Sequence, residues 1–224
     1  MSEPGRQGLA AAASSGTARR LFLAGALAFL AGATDVYGLA QLRDIFVSFM
    51  SGNTTMLGIA LGRQDWMHAG LIGAIIGLFV AGAAAGAALQ IAAGRRHLSA
   101  VVAAVAAALA VPLIRPDWAA FVYVFAMGAL NAATNRVGEA TVGLTYVTGT
   151  LVKFGQGLGQ TLCGRGTGRS WLLQAPMWMS LLAGAITAAA LTARFGAHSF
   201  WLLACLGVVT ATGAIALDVT GRRG

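Results

Sequence analysis

Charged residues and cysteines are scarce in this chain. Only 10% of the 224 residues are Asp, Glu, Lys or Arg, whereas 58% are hydrophobic and the mean hydropathy is +0.75. Soluble domains carry about 25% charged residues, so this composition excludes an ordinary soluble domain. It predicts an all-α fold, a bundle of helices in a lipid bilayer. The two cysteines, Cys163 and Cys205, match no metal or redox spacing.

Acidic residues are fewer than basic ones, with 7 Asp and Glu against 15 Lys and Arg. The net charge of +8 could indicate nucleic-acid binding, but the sequence has no basic run with interleaved aromatic residues. The arginines flank the apolar stretches instead, as in membrane proteins that face anionic lipid headgroups. We therefore expect the lipid bilayer as a partner and no nucleic acid.

Motifs for catalysis or cofactor binding are absent. The sequence contains no HExxH motif, no phosphate-binding loop and no cluster with metal-ligand spacing. An intramembrane serine protease would need a histidine such as His68 to approach Ser51, but all three histidines fall near predicted helix ends. We expect no metal, no cofactor and no enzymatic activity.

Long apolar stretches predict six membrane-crossing helices. They cover about residues 21–42, 67–93, 98–114, 118–134, 173–193 and 198–217. Arg19-Arg20 before the first stretch resembles an export signal, but the apolar run continues past a cleavage point to Ala40. Residues 1–18 predict a disordered cytoplasmic tail.

Two further segments, 44–62 and 141–162, are apolar but interrupted by small and polar residues. The first contains the run Ser-Gly-Asn-Thr-Thr at 51–55. A polar group buried in hydrocarbon without a partner costs several kcal/mol, and Gly and Asn weaken a helix. We therefore expect both segments to be broken or re-entrant and shielded from lipid by other helices.

The two segments align with each other at an offset of 97 residues. Gly52 then falls on Gly149, and Asp35 falls on Asn131 at an offset of 96. This alignment predicts two internal repeats; the alternative is chance similarity between two glycine-rich sequences. The predicted division is a first repeat over 19–116, a second repeat over 117–219 and a cytoplasmic tail over 220–224.

Two topologies fit the sequence. If both interrupted segments re-enter, six crossings and inverted halves result, with ten arginines in the cytoplasm and four outside. If both segments cross, eight crossings and parallel halves result, with nine arginines in the cytoplasm and five outside. The positive-inside rule favours six, and inverted halves around a midplane site are a recurrent transporter design. Both topologies put both termini in the cytoplasm.

A resemblance to a known family is carried by Asp35, by the run FVSFMSGNT at 46–54 and by the run TYVTGTL at 145–151. These runs resemble the first and second motifs of the YoaK-like bacterial membrane proteins, with Ser51 where Thr is frequent. Asn131 in its MGALN context resembles that family's Gln/Asn-containing stretch. The resemblance covers about residues 20–218 and implies a bacterial inner-membrane protein of about six spans, with no established substrate.

The candidates for a substrate or ion pathway lie in and around the interrupted segments. They are Asp35, Ser51, Gly52, Asn53, Thr54, Asn131, Thr148, Gly149, Thr150 and Lys153. A carboxylate at the centre of a span costs about 2.5–3.5 kcal/mol on insertion scales. Asp35 is therefore either an inward-facing coupling or ligand group, or a cap on the first segment near the interface.

Alternative interpretations are also open for the other candidates. Asn53 and its hydroxyl neighbours either line a pathway or tie the first segment to its surroundings, and Thr148 and Thr150 have the same two readings in the second. Lys153 either contacts an anionic substrate, pairs with Asp35 or Glu139, or extends to the headgroups.

We expect a small secondary transporter or permease, with its site where the two interrupted segments meet, for a small molecule or ion that the sequence does not identify. The alternative is a membrane scaffold or accessory subunit without transport of its own; an intramembrane enzyme is less favoured. Small residues spaced four apart, such as Gly73 and Gly77, leave homo-oligomerisation open.

Overall fold

The computed structural model describes residues 3–42, 45–94, 97–134, 147–165, 170–196 and 200–220. Every regular element in these ranges is a helix. The α-helices are α1 (Glu3–Gln41), α2 (Met50–Gly62), α3 (Trp66–Ala93), α4 (His97–Ala110), α5 (Ala119–Thr134), α6 (Val147–Leu162), α7 (Ala175–Phe195) and α8 (Phe200–Thr220). Short 3-10 helices occur at Val111–Leu113, Pro116–Trp118 and Ser170–Gln174.

The described residues include three helices that are long and apolar enough to cross a membrane. They are Phe22–Gln41 of α1, the whole of α3 and the whole of α7. Helices α4 and α8 contribute shorter apolar stretches, Leu98–Leu113 and Trp201–Ala216. The all-helical fold expected from the sequence is confirmed, and three of its helices reach the length of about 20 apolar residues that a span of the hydrocarbon core takes.

Helix α1 begins earlier than the sequence predicted. Residues 1–18 were expected to form a disordered tail, but the structure is helical from Glu3 onward. The reason lies in the local composition, because this stretch contains the alanine run 10–13 and alanine is the strongest helix former. Pro4 falls in the first turn, where a helix tolerates proline.

The two interrupted segments are each partly helical. In the first, residues 45–49 are not helical and α2 begins at Met50, so the break precedes the polar run 51–55 instead of lying at its centre. In the second, α6 continues without a break through Gly149, and residues 141–146 lie outside the described ranges. With 13 and 16 residues, α2 and α6 are about 20 and 24 Å long, shorter than a hydrocarbon core of about 30 Å. Helices α4 and α5, with 14 and 16 residues, are similar in length, but 3-10 helices adjoin them at Val111–Leu113 and Pro116–Trp118.

Glycines bring the long helices into close backbone contact. Helix α1 packs against α7, and α3 packs against α5. A Cβ atom added to Gly82 would overlap the carbonyl oxygen of Phe125, and one added to Gly184 would overlap that of Phe29. Since lipid tails are as apolar as the helices, close backbone approach is what stabilises helix pairs in a membrane.

We expect Gly82→Leu to lower the free energy of unfolding by about 1–3 kcal/mol, because the new side chain must displace the α5 backbone. The measurement is unfolding in mixed micelles titrated with a denaturing detergent. Gly77→Leu, on the same helix but with open space around an added Cβ, is the matched control and should leave stability unchanged. Equal losses in the two variants would contradict the packing argument.

Candidate functional site

Asp35 holds the non-helical segment 45–49 against α1. Its Oδ1 accepts hydrogen bonds from the backbone N–H groups of Val47, at 2.8 Å, and of Ser48, at 2.6 Å. Its Oδ2 accepts a third, from the Ser48 hydroxyl at 2.6 Å. Backbone donors outside a helix need other acceptors when water is excluded, and bonds to a carboxylate are the strong ones. The carboxylate therefore supplies what the helical ladder would otherwise provide.

Asn53 ties the same segment to α2. Its Oδ1 accepts from the N–H of Phe46 and its Nδ2 donates to the carbonyl oxygen of Phe46, both at 2.8 Å. One side chain thus satisfies both backbone polar groups of one residue, because an amide carries a donor and an acceptor side by side. Asn53 is fully buried, so its polar atoms are used within the fold.

Two glycines make room for these bonds. A Cβ on Gly38 would overlap the side chain of Val47, and a Cβ on Gly52 would lie 2.6 Å from the ring of Phe49. Phe46 and Phe49 pack edge to face, with ring centroids 5.3 Å apart. Asp35 and Asn53 both bind the segment 46–48. We refer to these two residues and this segment together as the Asp35–Asn53 network.

In this network Asp35 caps the non-helical segment and Asn53 ties it to α2. The geometry therefore favours a structural role for both residues over a role in a pathway. Asp35 is half-buried and engaged by Val47 and Ser48. The other candidates in α2 differ, because Ser51 and Thr54 lie on the exposed face of the helix. The Thr54 hydroxyl donates to the carbonyl oxygen of Met50 at 2.9 Å.

In the second half, α6 divides its candidates between two faces. Thr150 is buried, and its hydroxyl donates to the carbonyl oxygen of Val147 at 2.7 Å. Thr148 and Lys153 are exposed, and Gly149 is half-exposed. Apart from Thr150, α6 buries only Gly157 among its residues, which packs on Trp171.

The structure does not bring all the candidates together. In the described part of the chain, α2 packs against α3, and α6 packs against α7 and Ser170–Gln174, but α2 and α6 do not pack against each other. Asn131 lies on α5, where its Nδ2 donates to the carbonyl oxygen of Met127 at 2.8 Å. Lys153 has no ion pair with a described residue, and Glu139 lies outside the described ranges. The expected meeting of the two segments is therefore absent from the described residues.

Sequence reasoning overlooked two groups of residues. The first group is Ser48 and Phe46, which belong to the network as much as Asp35 does. The sequence signal for them was that Asp35 lies shortly before a run that cannot be helical throughout and whose backbone groups need partners. The second group is the exposed pair Gln156 and Gln160. With Lys153 they recur at three- and four-residue spacing, which lines one face of a helix; we call Lys153, Gln156 and Gln160 the α6 polar stripe.

We expect Asn53→Ala to lower the free energy of unfolding by about 1–3 kcal/mol, because both backbone groups of Phe46 lose their partner. Ser51→Ala, an exposed position on the same helix, is the matched control and should change stability little. Both variants are measured in mixed micelles under identical conditions. Wild-type stability of Asn53→Ala would show that the network does not hold the segment.

Comparisons with known proteins agree with the membrane fold. A family model described as a protein of unknown function (DUF1275) matches residues 23–213. The UPF0700 transmembrane protein RA0705 of Rhizobium meliloti (strain 1021) is 38% identical over 183 residues, which are 81% of this chain and 80% of that protein. No solved structure matches the chain. The membership in an uncharacterised family of membrane proteins that its motifs predicted is confirmed: the chain belongs to the DUF1275 family.

Proposed function

We propose that this protein is a small secondary transporter of the bacterial inner membrane, built from two inverted repeats with both termini in the cytoplasm. Its helices α1 to α4 correspond to α5 to α8, and α2 and α6 belong to the interrupted segments of the two repeats. The observation that carries the proposal is the exchange of packing partners between the halves. Discontinuous segments in inverted repeats are the common design of secondary transporters.

The exchange of partners involves equivalent residues. Gly184 of α7 packs on the backbone of Phe29 in α1, and Gly82 of α3 packs on the backbone of Phe125 in α5. The α1 and α5 positions differ by 96 residues, the offset found from the sequence, and the α3 and α7 positions differ by 102. Each packed pair thus joins the first helix of one repeat to the third helix of the other, which supports a duplicated architecture.

The buried residues of α2 and α6 follow the sequence alignment. Helix α2 buries Asn53 and Ala60, and α6 buries Thr150 and Gly157. Both pairs are related by the offset of 97. Chance similarity of composition would not place the buried face of two separate helices in the same register, so this agreement supports the repeat.

Helix directions support inverted rather than parallel halves. Tyr37, near the end of α1, makes an edge-to-face contact with Tyr123, near the start of α5, at a centroid distance of 5.8 Å. Gly207, in the first half of α8, packs on Ala106, in the second half of α4. Both contacts join the first half of one helix to the second half of the other, as expected if the second repeat runs opposite to the first.

The α6 polar stripe is the strongest remaining candidate for the pathway. An ammonium group facing hydrocarbon is costly, so charged residues in membrane helices usually line water-filled routes. Lys153, Gln156 and Gln160 are exposed, with Gly149 in line with them one turn before Lys153. In the first half, Ser51 and Thr54 on the exposed face of α2 are the corresponding candidates. Asp35 and Asn53 would fix the shape of the route without touching the substrate.

The topology predicts opposite locations for two helix turns. With six crossings, the turn at Arg63 lies outside the cell and the turn at Cys163 lies in the cytoplasm; with eight, both lie in the cytoplasm. Cys163 and Arg63 are exposed. We expect an impermeant thiol reagent on intact cells to label Arg63→Cys in a background without native cysteines, but not Cys163 in the variant Cys205→Ser.

Labelling is compared with that in permeabilised cells, where both sites should react. Protection of Arg63→Cys in intact cells would overturn the six-crossing topology.

We expect Lys153→Gln to reduce transport about 10- to 100-fold, because hydrogen bonds to charged groups contribute about 1.5–3 kcal/mol. The assay incubates proteoliposomes of the purified protein in a defined metabolite mixture and measures the metabolites taken up by mass spectrometry. Arg115→Gln, which removes an exposed charge from the link between α4 and α5, is the matched control. Wild-type uptake by Lys153→Gln would remove the stripe from the pathway.

A membrane scaffold or homo-oligomer is the second candidate function. Gly58 and Gly62 on α2, and Gly155 and Gly159 on α6, are exposed with open space around them. These equivalent glycine faces would let another helix approach closely. Absence of uptake for every metabolite by the wild-type protein, together with a stable oligomer, would favour this function.

A further inference from the structure

We propose that the groove between α1, α7 and α8 binds one anionic phospholipid, with its acyl chain in the groove and its headgroup beside Arg19 and Arg20, where the membrane-crossing stretch of α1 begins. This proposal is independent of transport. The groove has a volume of about 510 Å³ and is lined by Phe22, Gly25 and Phe29 of α1, Ser180 of α7 and Val209 of α8, among others. All but Gly25 and Ser180 are apolar side chains.

Two small residues face each other where α1 and α7 line the groove. A Cβ added to Gly25 would lie 3.2 Å from the Ser180 hydroxyl oxygen, so the two helices are in close contact there. The equivalent positions in the other half, at offsets of 96 and 102, are Phe121 and Leu78. The two halves therefore differ in side-chain size at this contact, so the repeat alone does not dictate the shape of the groove.

The groove opens onto a surface that lipid covers. Phe22 is 74% exposed and Val209 is 56% exposed. Phe22 begins the candidate membrane span of α1, and Val209 lies in the shorter apolar stretch Trp201–Ala216 of α8. An acyl chain is the apolar molecule present at high concentration beside such a surface. It would fill the apolar space between α1, α7 and α8.

Charge at one end of the groove indicates which lipid binds. Helix α1 is continuous from Glu3 to Gln41, so Arg19 and Arg20 lie within one turn of Phe22. Gly25 and Phe29 meet Ser180 and Gly184 in the same order, so α1 and α7 are parallel and begin at the same membrane face. Basic residues at the cytoplasmic ends of membrane helices bind anionic headgroups, and the positive-inside rule puts this end in the cytoplasm.

The test is native mass spectrometry of the purified full chain titrated with phosphatidylglycerol or phosphatidylcholine. We expect one phosphatidylglycerol to bind in preference to phosphatidylcholine. Arg19→Gln with Arg20→Gln should weaken phosphatidylglycerol binding about 30-fold, because each basic residue near an anionic surface contributes about a fivefold factor. Phosphatidylcholine binding should not change in that variant.

Two variants close the groove. Gly25→Phe with Ser180→Leu copies the residues of the other half, and Val209→Trp adds bulk at the exposed rim, where it does not disturb the helix contacts. Both should abolish binding of the single lipid, whereas Gly77→Phe, at an open position on α3, should not. If the double variant fails to fold, Val209→Trp alone decides.

Three results would overturn the proposal. Equal affinity for the two lipids would exclude recognition of the anionic headgroup. Unchanged lipid binding in the groove-closing variants would place the lipid elsewhere. Conversion of an oligomer to a monomer by those variants, without loss of lipid, would assign the groove to a second copy of the chain.

Discussion

The structure depends on the requirement that every backbone polar group in a membrane find a partner within the protein. Residues 45–49 leave the helical ladder, and three of their donors are taken by a single carboxylate, that of Asp35. Asn53 satisfies Phe46 in the same way. Without these side chains a non-helical stretch between α1 and α2 would carry unpaired groups in a region that excludes water.

Glycine plays the complementary role in the long helices. At Gly82 and Gly184 the absence of a side chain lets one backbone touch another, which gives dispersion contacts that lipid cannot match. At Gly38 and Gly52 it lets the non-helical segment lie against its neighbours. Polar side chains therefore fix where the chain breaks, and glycines fix how closely the unbroken parts approach.

The sequence predicted the helices well because apolar length is a strong signal in membranes. It also singled out Asp35 and Asn53, the two side chains that bind the segment 46–48. It could not decide their role, because a carboxylate that binds an ion and one that binds two backbone amides need the same residue in the same span. The missing information was the partner: Ser48 looks like an ordinary motif residue until its amide and hydroxyl are seen on Asp35. The location of the break was misjudged because the polar run 51–55 continues as a helix, with Thr54 and Thr55 bonding back to carbonyl oxygens four residues earlier.

The Asp35–Asn53 network has a consequence for biogenesis. All its members lie within residues 35–53, so the network can form as soon as this stretch has left the ribosome and entered the translocon, before most of the chain exists. The contacts of Gly82 with Phe125 and of Phe29 with Gly184 join distant parts of the chain and must form later. Domains fold in the order of synthesis where contacts allow it, so the turn from α1 through residues 45–49 into α2 can be in place before the later helices pack against α1 and α3.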